Sequence, residues 1–341
     1  MKRRISALTS ALAALAVVIS GCAPANLPMT TLEPKSDLAE WIYRLFIEIT
    51  VWDAIVMAIV LGSFILAVFI FSTRVGDTTP TPPASAHSDI GLEVAWTVGP
   101  ALILLFIAIP TVRTIFRSQP PIPPAGSLEI KVIAHQWWWE FQYPSLNIKT
   151  ANELHIPTGR PIRMNLITAD VIHSFWVPVL GAKRDVIPGQ QNELTFIANV
   201  PGEYYGQCTE FCGDSHANMR LRAFVQTPGD FDKWVKDQAT LPKVPDAANN
   251  PAGAAGATIF ANSPCTTCHR IDGVSKGFLG PDLSHFGTRT TLAGAILPNT
   301  PQNVAKWITD PDAIKPGAHM PVLGMRGEKL NDLVAYLESL K

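Results

Sequence analysis

The sequence predicts a multidomain chain with three structural classes in series: an N-terminal two-helix transmembrane hairpin, an all-β sandwich and a small all-α unit at the C-terminus. Three observations carry this expectation. Two long apolar stretches, almost free of charge, follow an apolar leader. From about residue 126 to 236 the texture changes to short, partly alternating segments rich in β-branched and aromatic residues, separated by Pro and Gly. Beyond a Pro/Ala/Gly/Asn-rich linker at 237–251, apolar residues recur at helical spacing through the unit 252–341. The composition is in keeping with a bilayer segment, being 47% hydrophobic and only 16% charged. A net charge of -1 offers no footprint for nucleic acid.

Lys2, Arg3 and Arg4 precede the run ISALTSALAALAVVIS and then Gly21 and Cys22. A charged start, a short apolar stretch and small residues form a secretory signal. The ending ISGC resembles the bacterial lipoprotein box, which makes residues 1–21 a signal peptide and Cys22 the lipidated first residue of the mature chain. The competing account is an uncleaved anchor with Cys22 as a buried thiol.

Within 22–118, spans are expected at about 41–72 and 93–116. Each has the roughly 20 mostly apolar residues that a crossing needs. Pro100 and Pro110 are tolerable in the second span because neighbouring helices re-satisfy freed backbone groups. The polar, proline-rich stretch between the spans makes them a hairpin. A lipidated Cys22 lies outside the cytoplasm, and two crossings return the chain to that side; an uncleaved signal gives the same result. Everything after about Arg117 is therefore expected on the periplasmic side of a bacterial inner membrane, with lipid around the hairpin.

The segments LEIKVIAHQWWWEFQY, RPIRMNLITAD, NELTFIANV and GEYYGQC read as an antiparallel β-sandwich or barrel over 126–236. Its chemistry concentrates in QCTEFCGDSHANM, which holds Cys208, Cys212, His216 and Met219, with His173 upstream in DVIHSFWVP. Three accounts compete. A disulfide suits an extracytoplasmic domain but leaves both histidines and the methionine unused. Zinc accepts thiolates and imidazoles, yet a methionine ligand is unusual for it. Copper explains all five side chains, since soft thiolate and thioether ligands beside imidazole suit it, and two cysteines allow two thiolates to bridge a metal pair.

At this point CTEFCGDSHANM resembles the binuclear CuA loop of haem–copper oxidase subunit II, with Thr209 where that family usually has serine. The resemblance covers about Trp41 to Trp234 and implies a cupredoxin-like sandwich. It makes Cys208 and Cys212 bridging thiolates, His173 and His216 ligands of one copper each, and Met219 and the Glu210 carbonyl axial ligands. The Glu210 side chain would face a magnesium ion shared with subunit I. HQWWWEFQY is similar to the family's aromatic stretch, which makes Trp137 the residue through which electrons enter; Trp138 and Trp139 read as core or interface anchors. Glu93, in LEVAWTVGPALIL, matches the glutamate at the cytoplasmic mouth of the K proton pathway, although a charge at a span's end is often merely interfacial. His135 and His155 read as ordinary strand histidines.

In the last unit, CTTCH at Cys265–His269 is the C-x-x-C-H haem attachment pattern. Cys265 and Cys268 would form thioethers and His269 would ligate iron, against the alternatives of a redox pair or a zinc half-site. For the sixth ligand the candidates are His285, His319, Met320 and Met325. IKPGAHMPVL looks like the methionine loop of class I cytochromes c and favours Met320; GPDL resembles the loop whose proline carbonyl supports the proximal histidine. GATIFANSPC and GEKLNDLVAYLESL read as helices, the second with a core stripe at Leu330, Leu333, Val334, Leu337 and Leu340.

The whole chain thus resembles subunit II of a caa3-type cytochrome c oxidase with a fused cytochrome c. The resemblance implies haem c and CuA as cofactors and subunit I as partner, with subunit III beside it. It also implies an external donor, such as a cytochrome c or another small redox protein. Oxygen reduction would take place in subunit I. The alternative is a CuA-containing nitric oxide reductase. A quinol oxidase is disfavoured because that branch lacks the copper ligands present here.

Overall fold

The computed structural model describes residues 27–71, 89–118 and 122–341. The signal segment and Cys22 lie outside the described residues, as does the stretch joining the two spans.

Helix α1 (Asp37–Phe71) and helix α2 (Ile90–Ser118) form the hairpin. Both exceed the expected spans by a few residues. At about 1.5 Å per residue, α1 is longer than the ~30 Å hydrocarbon core requires, and its extra first turn is anchored to the sandwich. Ser36 Oγ caps it, accepting the Ala39 amide at 3.0 Å while donating to the Leu180 carbonyl at 2.7 Å. Asp37 Oδ1 accepts the Ile197 amide at 2.7 Å, and Leu38 is fully buried in the sandwich core. Nearer the far end, apolar side chains such as Ile59, Phe64 and Ile70 are more than half exposed. Such a surface demands lipid or a partner helix. Trp52 stacks on Phe106 at 6.1 Å, and Arg117 lies 6.0 Å over Trp41. The chain therefore leaves the sandwich along α1 and returns to it along α2.

The sandwich has two five-stranded sheets, ordered β3-β2-β1-β5-β8 and β4-β10-β9-β6-β7. The strands are β1 (Leu128–His135), β2 (Trp138–Tyr143), β3 (Ile148–Ala151), β4 (Glu153–Pro157), β5 (Pro161–Thr168), β6 (His173–Trp176), β7 (Arg184–Val186), β8 (Asn192–Ile197), β9 (Gly202–Cys208) and β10 (Arg220–Gln226). It is not wholly antiparallel: β1 pairs with β5, and β10 with β4, in parallel. In each case the chain crosses to the other sheet between the paired strands, so a hairpin connection is excluded. Alternation places Leu128, Ile130 and Val132 of β1 against Leu221, Ala223 and Val225 of β10 in one core. Each leucine, isoleucine and valine among them contributes ~1.5–3 kcal/mol on burial. Helix α3 (Pro228–Gln238), capped by Thr227, closes the barrel end with Phe231.

The C-terminal unit contains α4 (Pro251–Ala261), α5 (Cys265–Cys268), α6 (Pro301–Thr309), α7 (Pro311–Ile314) and α8 (Gly327–Ser339). Asn250 and Thr300 cap helices that start on proline. Helices α4 and α8 cross with Phe260 5.8 Å from Tyr336, and Leu333, Val334, Leu337 and Leu340 are buried beneath them. The unit is not purely helical: β11 (Arg270–Ile271) pairs with β12 (Ser275–Lys276), and β13 (Thr291–Leu292) with β14 (Leu297–Pro298). These two-residue ladders close tight turns around the pocket and add no sheet layer.

Candidate functional site

Sheet register assembles the first site. Phe175 of β6 pairs with Cys208 at the end of β9, which brings His173, at the start of β6, alongside that cysteine. The Cys208 amide donates to the Met219 carbonyl at 2.9 Å and closes the loop 209–218 onto itself. The outcome is a buried donor cluster of His173, Cys208 and Cys212, whose ligand atoms all lie within 4.8 Å of one another. The two sulfurs are 3.8 Å apart. His173 Nδ1 lies 3.8 Å from Cys208 Sγ, and His216 Nδ1 lies 3.6 Å from Cys212 Sγ. Met219 Sδ lies 3.9 Å from Cys212 Sγ, and the Glu210 carbonyl 3.2 Å from Cys208 Sγ. All six predicted residues thus converge. Phe211, between them in sequence, points outward and is 73% exposed.

The thiol pair holds one negative charge by itself and would hold two only with a cation beside it. Cys208, hydrogen-bonded by Cys212 and by His173, is held well below the ordinary thiol range. Cys212, beside that thiolate, is pushed up. Two thiolates this close repel unless a metal neutralises them. The donor set of thiolate, imidazole and thioether is one that suits copper. Burial opposes the charge of His173, but Asp170 and Cys208 outweigh it and raise its pKa. Asp170 Oδ1 lies 2.8 Å from His173 Nε2 and so turns Nδ1 toward the sulfurs. Sequence inspection passed over Asp170, three residues before a ligand, because an acid in a loop is usually only solvated.

The turn between β1 and β2 caps this cluster from the opposite sheet. Gln136 Nε2 and Trp137 Nε1 both donate to the Cys212 carbonyl, at 2.8 and 2.9 Å. Gly213 has φ +110, and a Cβ there would come within 3.1 Å of the Trp137 ring. Only glycine allows the loop and the indole to sit so close. Trp139 is buried in the core, Trp138 stacks on His135 at 4.1 Å, and His155 stacks on Trp234 at 4.4 Å.

The second site is a cavity of about 550 Å³ lined by Cys265, Cys268, His269 and Met320 of the helical unit, and by Trp137 and Trp138 of the sandwich. His269 Nδ1 donates to the Pro281 carbonyl at 2.8 Å, which leaves Nε2 as its free donor atom. Burial, opposed by the Pro281 carbonyl, lowers the His269 pKa and keeps the ring neutral. A Cβ on Gly280 would fall 2.7 Å from His269 Cε1, so glycine lets this loop lie flat on the imidazole. Of the rival ligands, His319 also lines the cavity, but its ring rests against Trp137 at 5.4 Å. His285 Nε2 is committed to the Gln238 carbonyl at 3.1 Å, and Met325, which like Met320 packs against the helical core, does not line the cavity. Paired cysteines, a supported histidine and an apolar cavity between them fit a covalently held haem.

Fold and sites define a membrane-anchored electron-transfer protein with a copper-type centre and a c-type haem pocket facing one another. Three family models match it: cytochrome c oxidase subunit II, transmembrane domain, over residues 30–114; cytochrome c oxidase subunit II, periplasmic domain, over 145–225; and cytochrome c over 253–341. The chain is 34% identical to cytochrome c oxidase subunit 2 of Alkalihalophilus pseudofirmus, across 96% of this chain and 95% of the relative. It is 33% identical to that of Bacillus subtilis, across 97% and 96%. The periplasmic domain of subunit II of cytochrome oxidase of Bradyrhizobium japonicum is 34% identical and is matched over 34% of this chain and 96% of that one, with TM-score 0.33. The chain belongs to the cytochrome c oxidase subunit II family, as a member of the caa3 type with a fused cytochrome c domain. It is a subunit of a haem–copper oxidoreductase; its CuA copper follows from the subunit II domain and its haem c from the cytochrome domain.

Proposed function

We propose that this chain receives single electrons from an external donor at haem c and passes them through CuA to the haem groups of subunit I, where oxygen is reduced. The observation that carries the route is Trp137, whose ring lines the haem cavity while its Nε1 holds the Cys212 carbonyl at 2.9 Å.

Cys208 and Cys212 would bridge the copper pair, with His173, His216, Met219 and the Glu210 carbonyl completing it. When bound, the pair shares one electron between two metals, and so changes its bonding little on reduction. The protein fixes the ligands on strand ends and excludes water, since His173 is fully buried and both cysteines are nearly so. Cys265 and Cys268 would hold haem c, with His269 and Met320 as axial ligands and Trp137 as the conductor toward copper. The Glu210 side chain would bind magnesium against subunit I, and exposed Phe211 beside it would meet the same partner. Glu93, in the first turn of α2, sits at the end of the hairpin remote from the sandwich, where a proton mouth would be. The sandwich and helical unit are assigned to the periplasm, with Cys22 lipidated and subunit III as a neighbour. The return of both spans to one sandwich supports placing the two metal-binding units on a single side.

Metal analysis, visible and EPR spectra, and turnover on one purified complex test this function. Two coppers and one haem c per chain with oxygen consumption are expected. Turnover of nitric oxide without oxygen consumption would replace the oxidase with the reductase.

A further inference from the structure

Two buried ionisable side chains cross between the sandwich and the helical unit, a carboxylate held ionised and a lysine whose pKa burial pulls down to about 7. Glu153, at the start of edge strand β4, is 3% exposed; Lys315, just after α7, is 4% exposed. Glu153 Oε1 accepts from the Thr290 amide at 2.8 Å, the Thr290 hydroxyl at 2.7 Å and the Thr291 amide at 3.1 Å, all in the helical unit. In the other direction, Lys315 Nζ donates to the Trp137 carbonyl of the sandwich and to Ala293 of its own unit at 3.1 Å. Ser215 of the copper loop donates to the Pro316 carbonyl at 2.6 Å, and the Arg220 amide to Gly294 at 3.1 Å.

An ionisable group taken out of water is destabilised unless fixed partners replace its hydration. Here each side chain has partners across the interface: Glu153 takes the Thr290 and Thr291 amides and the Thr290 hydroxyl, and Lys315 takes the Trp137 carbonyl, with Ala293 of its own unit as a second acceptor. A shift of either unit would leave one buried group without that partner, so the two contacts specify one register. The segment between α3 and α4 is short, and a short tether holds a linked unit at an effective concentration on the order of mM. Even an interface with a micromolar dissociation constant then stays occupied almost all the time.

We propose that Glu153 and Lys315 form a reciprocal latch that keeps the haem unit docked over Trp137 in one resident pose, so that the electron crosses without any search by a swinging domain. This inference rests on the haem-to-copper route above. The step it governs moves one electron from reduced haem c to the oxidised copper pair and makes or breaks no bond. Lys315 and Glu153 are positioning residues, acting through where they hold Trp137 and the segment leading to Met320.

The test is flash-initiated electron transfer in the full-length complex with haem and copper bound, in buffer and in glycerol of rising viscosity. Wild-type transfer should not respond to viscosity. Glu153→Ala, Lys315→Met and the double variant should each slow transfer, by up to on the order of 10²-fold, and make it fall with viscosity. The double variant should add little to the singles, because both break one pose. The Thr290 and Thr291 amides should be protected from hydrogen exchange in wild type and lose protection in the variants, while the copper EPR and haem absorption spectra stay intact. A viscosity-dependent wild-type rate, or variants with wild-type rate and protection, overturns the latch. Haem that is reduced but never passes its electron to copper would overturn the proposed route itself, which is a distinguishable result.

Discussion

The indole of Trp137 donates to the carbonyl of Cys212 at 2.9 Å, tying the β1–β2 turn of one sheet to the copper loop of the other. The same ring rests 5.4 Å from His319 in the methionine segment of the haem unit. One side chain therefore touches both redox sites.

Trp137→Phe keeps an aromatic ring but removes the N–H. The loss of about 1 kcal/mol of hydrogen bonding should loosen the loop and slow haem-to-copper transfer by roughly an order of magnitude. Chemical reduction of the haem should proceed as before. Stopped-flow traces recorded at a haem and a copper wavelength separate the two steps, and equal slowing of both would contradict a role for Trp137 between them.

Asp170→Asn keeps the size of the residue that orients His173 but removes its charge. Outer-sphere partners of this kind are worth about 10–100-fold in metal affinity. Chelator competition should show copper lost more readily by that margin, and an unchanged copper content would leave Asp170 a mere turn residue.

Met320→His replaces a thioether with an imidazole at the haem cavity. The haem potential should fall and any methionine–iron absorption band should vanish. If redox titration and spectrum do not change, the sixth ligand is His319 or Met325, and for His319 the contact with Trp137 must be broken on haem binding.

Glu153 predicts an acid limb for docking. Burial alone would raise its pKa, but hydrogen bonds from His155 and Thr290, with the charges of His155 and Arg289, hold it below the ordinary 4.5. Of these, Thr290 and Arg289 belong to the helical unit, so their share of the lowering stabilises the docked form above the ordinary carboxyl pKa and is lost as pH falls through the lowered value. Protection of the Thr290 amide should thus be steady down to about pH 5 and decline in more acid solution. Glu153→Gln should remove that decline; the same acid limb in the variant would assign it to another group.

Much of the site was legible in the sequence because its ligands are close along the chain. Cys208, Cys212, His216 and Met219 share one short loop, and Cys265, Cys268 and His269 one helical turn, where covalent spacing limits the geometry. The apolar spans and the stripe on α8 were legible for a similar reason, since periodicity reports the buried face directly. Asp170, Gln136, Glu153 and Lys315 were not. Asp170 looks like any solvated loop acid, and the other three work through partners distant along the chain: Gln136 on the Cys212 carbonyl, Glu153 on amides 137 and 138 residues away, and Lys315 on a carbonyl 178 residues away. The parallel pairs β1–β5 and β4–β10 escaped notice likewise, because strand neighbours are chosen by packing.

By itself, then, the sequence determined which atoms are available to hold copper and haem, and that the chain enters a membrane twice. Only the tertiary structure decided that the two redox units meet at Trp137. Ligand identity is a local property of side chains and spacing. The meeting of the units depends on which buried polar side chains find partners across the interface, and that exists only once both surfaces are folded.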